Sequence, residues 1–237
     1  MRTNLVVSRL VTFVVGVAVL AGVVFGCPAR PVGSPAYQTL SLDFRLNHVA
    51  VVGDSYTTGT DLGGLGRNAW TARAWQTLRR QGVRVAADVA AEGRAGYGVP
   101  GDQGSLFEDL TARAVKPSDV LVVFFGSRND QGVNLGLLAE KVRATFDLAR
   151  RFAPSARFLV IGPPWPTAAV PVPVLQIRDV LFHAAQAAGA AWSDPIFERW
   201  FLDKPDLIGP DGVHPNDAGH KYLADKIAPL ISAQLRR

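Results

Sequence analysis

Three side chains in this sequence have the types that acyl transfer needs: a hydroxyl, an imidazole and a carboxylate. The hydroxyl is Ser55, within V-A-V-V-G-D-S-Y-T-T-G at residues 49–59. Residues 49–52 are apolar and read as a short buried strand, which Gly53 ends. A serine just past a strand sits at the carboxyl edge of a sheet, where open α/β sheets bind ligands. The strand holds the serine, and the glycine lets the chain turn without a side chain blocking approach. The imidazole and carboxylate are His214 and Asp211, in D-G-V-H-P-N at residues 211–216. They meet if the chain between them turns, which Gly212 permits, and Pro215 stiffens the exit. Asp211 would then orient the imidazole and stabilise its cation, and His214 would take the serine proton. Each stretch also has a plainer reading. Asp and Ser hydrogen-bond their own backbone in ordinary turns, and 211–216 also suits a helix start capped by Asp217.

An oxyanion needs donors. Two further stretches offer them. E-G-R-A-G-Y-G at residues 92–98 contains glycines whose N–H groups can approach a substrate closely. G-S-R-N-D at residues 126–130 presents the side-chain amide of Asn129. Taken singly, each is a flexible strand-to-helix loop.

The elements that position these loops alternate. Strands are expected at 48–52, 83–89, 120–125, 158–161 and 190–192, with 120–125 the most apolar and therefore central. Helices are expected at 67–81, 105–115, 135–152, 174–188 and 217–235, stopped by Gly82, Pro117, Pro154 and Gly189. This alternation implies a parallel sheet with helices on both faces. The polar stretches all follow strands or lie near the same sheet edge.

The chain has 237 residues, 48% hydrophobic and 19% charged, which suits one domain with a sizeable core. Its net charge of +5 includes Arg2 and Arg9. There is no basic run with interleaved aromatics, so nucleic acid is not an expected partner. The single cysteine, Cys27, excludes an internal disulfide and a cysteine-rich metal site. Two arginines followed by the apolar stretch 10–26 match a signal peptide or an N-terminal membrane anchor over 1–27. V-F-G-C at 24–27 is similar to a lipoprotein cleavage site with Cys27 lipidated, although Phe25 fits it poorly. Residues 28–45 read as a linker and 46–237 as the folded domain. The expected location is therefore outside the cytoplasm, secreted or held on the outer face of the membrane.

Together, these blocks resemble the SGNH hydrolase superfamily, the GDSL-type esterases and lipases. The blocks G-D-S-Y-T-T-G, the glycine loop, R-N-D and D-G-V-H-P occur in that family's order between residues 53 and 215. The resemblance implies a three-layer α/β/α sandwich around a five-stranded parallel sheet in flavodoxin-like order. It implies Ser55 as nucleophile, Asp211 and His214 as its partners, and Ser55 N–H, Gly96 N–H and Asn129 as oxyanion donors. No metal or cofactor is required, and the implied substrate is a small-molecule, lipid or glycan ester. Two departures stand out. The third block usually reads G-x-N-D, but Arg128 makes it one residue longer. Ala91 stands where the second block often has Asn.

Other readings compete. An acyltransferase or deacetylase acting on cell-envelope glycans or glycolipids would use the same residues. G-L-G-R-N-A at 64–69, with Asp88, suggests nucleotide binding, but that fingerprint should follow its strand directly. A non-catalytic glycan-binding domain would be expected to have a broken triad. His48, His183 and His220 have no metal-ligand spacing and are expected to be structural, His220 on a helix face. Trp165 and Tyr97 are candidates to line an acyl or sugar pocket.

Overall fold

A computed structural model describes residues 46–236. The expected export segment over 1–27, the linker over 28–45 and Cys27 lie outside the described residues. Five strands form one sheet: β1 (Leu46–Gly53), β2 (Arg84–Ala91), β3 (Asp119–Phe125), β4 (Arg157–Ile161) and β5 (Ala191–Ser193). Their order is β2-β1-β3-β4-β5, and every pairing is parallel. This is the flavodoxin-like order that the family resemblance implies. The helices are α1 (Ser55–Thr58), α2 (Trp70–Arg80), α3 (Phe107–Ala114), α4 (Leu135–Phe152), α5 (Val172–Ala187) and α6 (Asp217–Leu235).

The two-residue period of a strand explains the layers. In β1 and β3, Ala50, Val52, Val122 and Phe124 point to one face and pack with Leu110, Val142 and Ile177 of α3, α4 and α5. Val49, Val51, Leu121 and Val123 point to the other face and meet Trp70, Leu78, Leu223 and Ile227 of α2 and α6. Both faces are covered, which is why β3 reads as a continuous apolar run. Among the described residues no helix is long and apolar enough to cross a membrane.

The structure differs from the expected boundaries at three informative places. The polar turn after β1 is a one-turn helix, α1. Helix α2 starts at Trp70 rather than 67, because Gly66, at φ +55°, opens a 3-10 turn over Gly66–Asn68. Helix α5 starts at Val172, since Pro173 sits in its first turn, where a missing N–H costs nothing. The 64–69 glycine stretch does not follow a strand. It packs on α6 instead, with Gly64 N–H donating to Asp217 Oδ1 at 2.9 Å.

His220 is not merely on a helix face but 1% exposed. Its ring fills the space that a side chain on Gly64 would need, and Trp70 N–H donates to its Nδ1 at 3.4 Å. Burial pushes its pKa down to about 4, so it is neutral in the folded protein at neutral pH. Its ordinary value in an unfolded chain is near 6.5, so as pH falls the unfolded chain takes up this proton first. Stability is lost as pH falls from about 6.5 towards about 4, by up to about 3 kcal/mol from this group. Urea unfolding at about pH 7 and about pH 4.5 should show this loss in the wild type and a smaller one in His220→Gln. Equal pH dependence in the two proteins would contradict it.

Candidate active site

The site lies at the carboxyl edge of β1 and β3, the neighbouring strands on whose two sides the chain runs in opposite directions across the sheet. Such a switch point opens a crevice. Gly53 ends β1, where a side chain would collide with Thr57. Asp54 caps α1, its Oδ1 accepting from Tyr56 N–H at 2.9 Å. The turn makes Ser55 the first residue of α1. Its N–H therefore has no acceptor within the helix.

The Asp211 loop arrives from the other side of the crevice. Gly212 adopts φ +68°, the left-handed conformation that makes this turn. Gly209 N–H bonds to His214 carbonyl oxygen at 2.7 Å and closes the loop. Asp211 Oδ1 accepts from the N–H groups of Val213 and His214 at 2.9 and 3.0 Å. Its Oδ2 lies 2.6 Å from His214 Nδ1, and His214 Nε2 lies 3.0 Å from Ser55 Oγ. Desolvation works to raise the Asp211 pKa, but those N–H groups and the imidazole outweigh it and hold the carboxyl below its ordinary value. An ionised Asp211 favours the proton on Nδ1, which leaves Nε2 to accept from the serine hydroxyl. The structure thus brings Ser55, His214 and Asp211 into one hydrogen-bonded chain.

Tyr56 was not anticipated. It is 1% exposed, and its Oη donates to Val213 carbonyl oxygen at 2.5 Å, tying the histidine loop to the helix that carries Ser55. The available signal was its place beside the serine in an otherwise polar turn.

The residue added to the third block is absorbed by a 3-10 turn over Arg128–Asp130. Ser127 Oγ caps that turn by accepting from Asn129 N–H at 3.0 Å and donates to Ala95 carbonyl oxygen. Asn129 Nδ2 donates to the same carbonyl at 2.9 Å and lies 3.4 Å from Asp54 Oδ2. One amide hydrogen is thus firmly held and the other only loosely. Burial pushes Asp54 up to about 7, against the hydrogen bond from Tyr56 N–H and the charge of Arg128.

Asp130 holds the glycine loop in place. Its carboxylate accepts from Tyr97, Gly98 and Val99 N–H at 3.0, 2.7 and 3.2 Å. A side chain on Gly96 would collide with that carboxylate. The same fold-back makes Gly96 N–H donate to Val99 carbonyl oxygen at 2.8 Å. The Gly96 N–H, expected as an oxyanion donor, is thus engaged within its own loop in this conformation, because residues 97–99 are drawn back over it. Tyr97 also departs from expectation. It is fully buried, with its ring 4.6 Å from that of Phe107.

A cleft of about 390 Å³ opens beside Ser55 and His214, lined also by Thr58, Thr60, Glu92 and Arg94. Trp165 lines a separate cavity of about 190 Å³. His183 lies in a groove of about 480 Å³ between α4 and α5 that holds none of the candidate residues.

The model of the GDSL-like lipase/acylhydrolase family matches residues 51–222. The GDSL lipase Rv0518 of Mycobacterium tuberculosis is 68% identical over 231 residues, covering 96% of this chain and 99% of its own. Among solved structures, TesA superposes with a TM-score of 0.64 at 20% identity, covering 79% of this chain and 99% of that one. The psychrotrophic esterase EstA from Pseudoalteromonas sp., solved inhibited by monoethylphosphonate, also gives 0.64, at 15% identity over 81% and 100% of the two chains. At such identities these structures establish the shared fold.

Proposed function

Because the chain belongs to the GDSL-like lipase/acylhydrolase family and is an ester-cleaving hydrolase, we propose that it works through a Ser55–His214–Asp211 triad and an acyl-enzyme. The observation that carries this reading is the unbroken line from Asp211 Oδ2 through the imidazole to Ser55 Oγ, with steps of 2.6 and 3.0 Å. Both are within the reach that proton transfer requires. Ser55 Oγ attacks the ester carbonyl while His214 Nε2 takes its proton. His214 then returns that proton to the departing alcohol oxygen as the carbon–oxygen bond breaks. Water attacks the acyl carbon as it gives a proton to His214, and His214 passes that proton to Ser55 Oγ as the bond to the acyl group breaks and the acid leaves. Asp211 stabilises the imidazolium in both halves.

The oxyanion falls to the Ser55 N–H and to the loosely held amide hydrogen of Asn129. Gly96 joins them only by exchanging its bond to Val99 for one to substrate. Asn129→Ala should lower kcat by about 10²–10³ fold with little change in stability. An undiminished rate would remove Asn129 from the site.

The substrate class is proposed as carboxylic esters with lipid or glycan parts. Hydrolysis of short and long p-nitrophenyl esters by the full chain, beside Ser55→Ala, tests this. Ser55-dependent hydrolysis supports it, and the chain-length profile describes the pocket. Ser55-dependent transfer to a glycan acceptor with no hydrolysis would favour an acyltransferase. Activity independent of Ser55 would overturn the triad. We also propose action outside the cytoplasm, on the strength of the Arg2, Arg9 and 10–26 pattern.

A further inference from the structure

Arg128, the residue that lengthens the third block, occupies the turn that carries Asn129. Its guanidinium carbon lies 4.1 Å from the centre of the Trp165 ring. Its charge also reaches Asp54 and the Tyr56 phenol, where burial pushes both groups up and the guanidinium offsets only part of that. The group is thus wedged between the helix that carries Ser55 and the loop after β4.

What this cation lacks is an anion. It forms no ion pair with any carboxylate among the described residues. Its Nη1 is buried and has no hydrogen-bond partner. Asp54 makes no ion pair with it, and burial works against the charged form of that carboxyl. The other arginine at the site, Arg94, is already paired with Asp102 at 3.4 Å. A guanidinium cannot shed its proton and accepts no hydrogen bonds, so its donors are satisfied only by an acceptor brought to it. Stacking on the indole fixes its plane, and because Nη1 is buried an incoming acceptor must meet the remaining edge of the partly exposed side chain.

We propose that Arg128 selects ester substrates that carry a carboxylate, receiving that group through the free edge of the guanidinium. A carboxylate fits better than a phosphate. One unpaired arginine balances a single negative charge, and a planar fork meets a planar carboxylate in two parallel hydrogen bonds. The inference rests on the reading of Ser55 as the nucleophile.

The test compares matched ester pairs with the full chain. On the acyl side, mono-p-nitrophenyl succinate is set against p-nitrophenyl butyrate. On the alcohol side, the acetate of 3-(4-hydroxyphenyl)propanoate is set against that of 4-propylphenol. The expected result is a preference in kcat/KM of about tenfold or more for the charged member of one pair, as a charge-assisted hydrogen bond provides. The pair that shows it identifies the side of the ester. That ratio should fall towards one in Arg128→Gln, be partly kept in Arg128→Lys, and shrink with added sodium chloride. Ratios near one in both wild-type pairs, or a preference that survives in Arg128→Gln, would overturn the proposal. Failure of the underlying reading is separate, since it would appear as neutral-ester hydrolysis that does not depend on Ser55.

Discussion

Ser55→Ala should lower kcat by at least about 10⁴ fold, and Ser55→Ala/His214→Ala should be no slower than the single variant. The two groups act as one unit. With the hydroxyl gone, the imidazole has no nucleophile to deprotonate. Without the imidazole, a neutral hydroxyl attacks poorly. Removing the second member therefore takes away nothing further. The fold should tolerate the change, because the Ser55 side chain lines the cleft and belongs to neither apolar cluster, and α1 keeps its Asp54 cap. Single-turnover hydrolysis of a p-nitrophenyl ester, with circular dichroism to confirm folding, checks both halves. A single variant within tenfold of wild type would contradict the assignment.

Asp211→Asn should lower kcat by about 10³ fold, and up to about 10⁴ fold, with little change in thermal stability. The carboxylate performs two tasks with two oxygens. Oδ1 holds the loop through Val213 and His214 N–H, and Oδ2 faces His214 Nδ1 at 2.6 Å. An asparagine keeps the first task through its carbonyl but places an NH₂ group against Nδ1. The imidazole must then accept there and carry its proton on Nε2, where it can no longer accept from Ser55. The Asp211 side chain is 34% exposed, so water softens the loss compared with a fully buried partner. A kcat reduced by less than tenfold would show that Asp211 does not control the tautomer.

Much of this was legible in the sequence, for physical reasons. Strands buried on both faces are written as apolar runs, so β1, β3 and β4 were visible, and the alternation with helices implied the parallel sheet. The Asp211–His214 pairing was legible because it is local, three residues closed by Gly212. The details of Gly96 and Tyr97 were not legible, because they depend on Asp130, more than thirty residues away in sequence. A glycine reads as open space until the structure shows what occupies it. Here the carboxylate of Asp130 takes that space, and Gly96 N–H turns to Val99. The role of Tyr56 depends on a contact with Val213 that no spacing encodes. Arg128 was visible only as an irregularity in a block, and its stacking on Trp165 comes from the loop after β4.

The central claim is that Ser55 is the nucleophile, activated by His214. The most direct measurement is labelling of the full chain with a fluorophosphonate, followed by mass spectrometry of the peptides. The account predicts one phosphonyl group per molecule, carried on Ser55, with the rate of labelling strongly reduced in His214→Ala. An adduct on another residue, or labelling of Ser55 as fast in His214→Ala as in wild type, would contradict it.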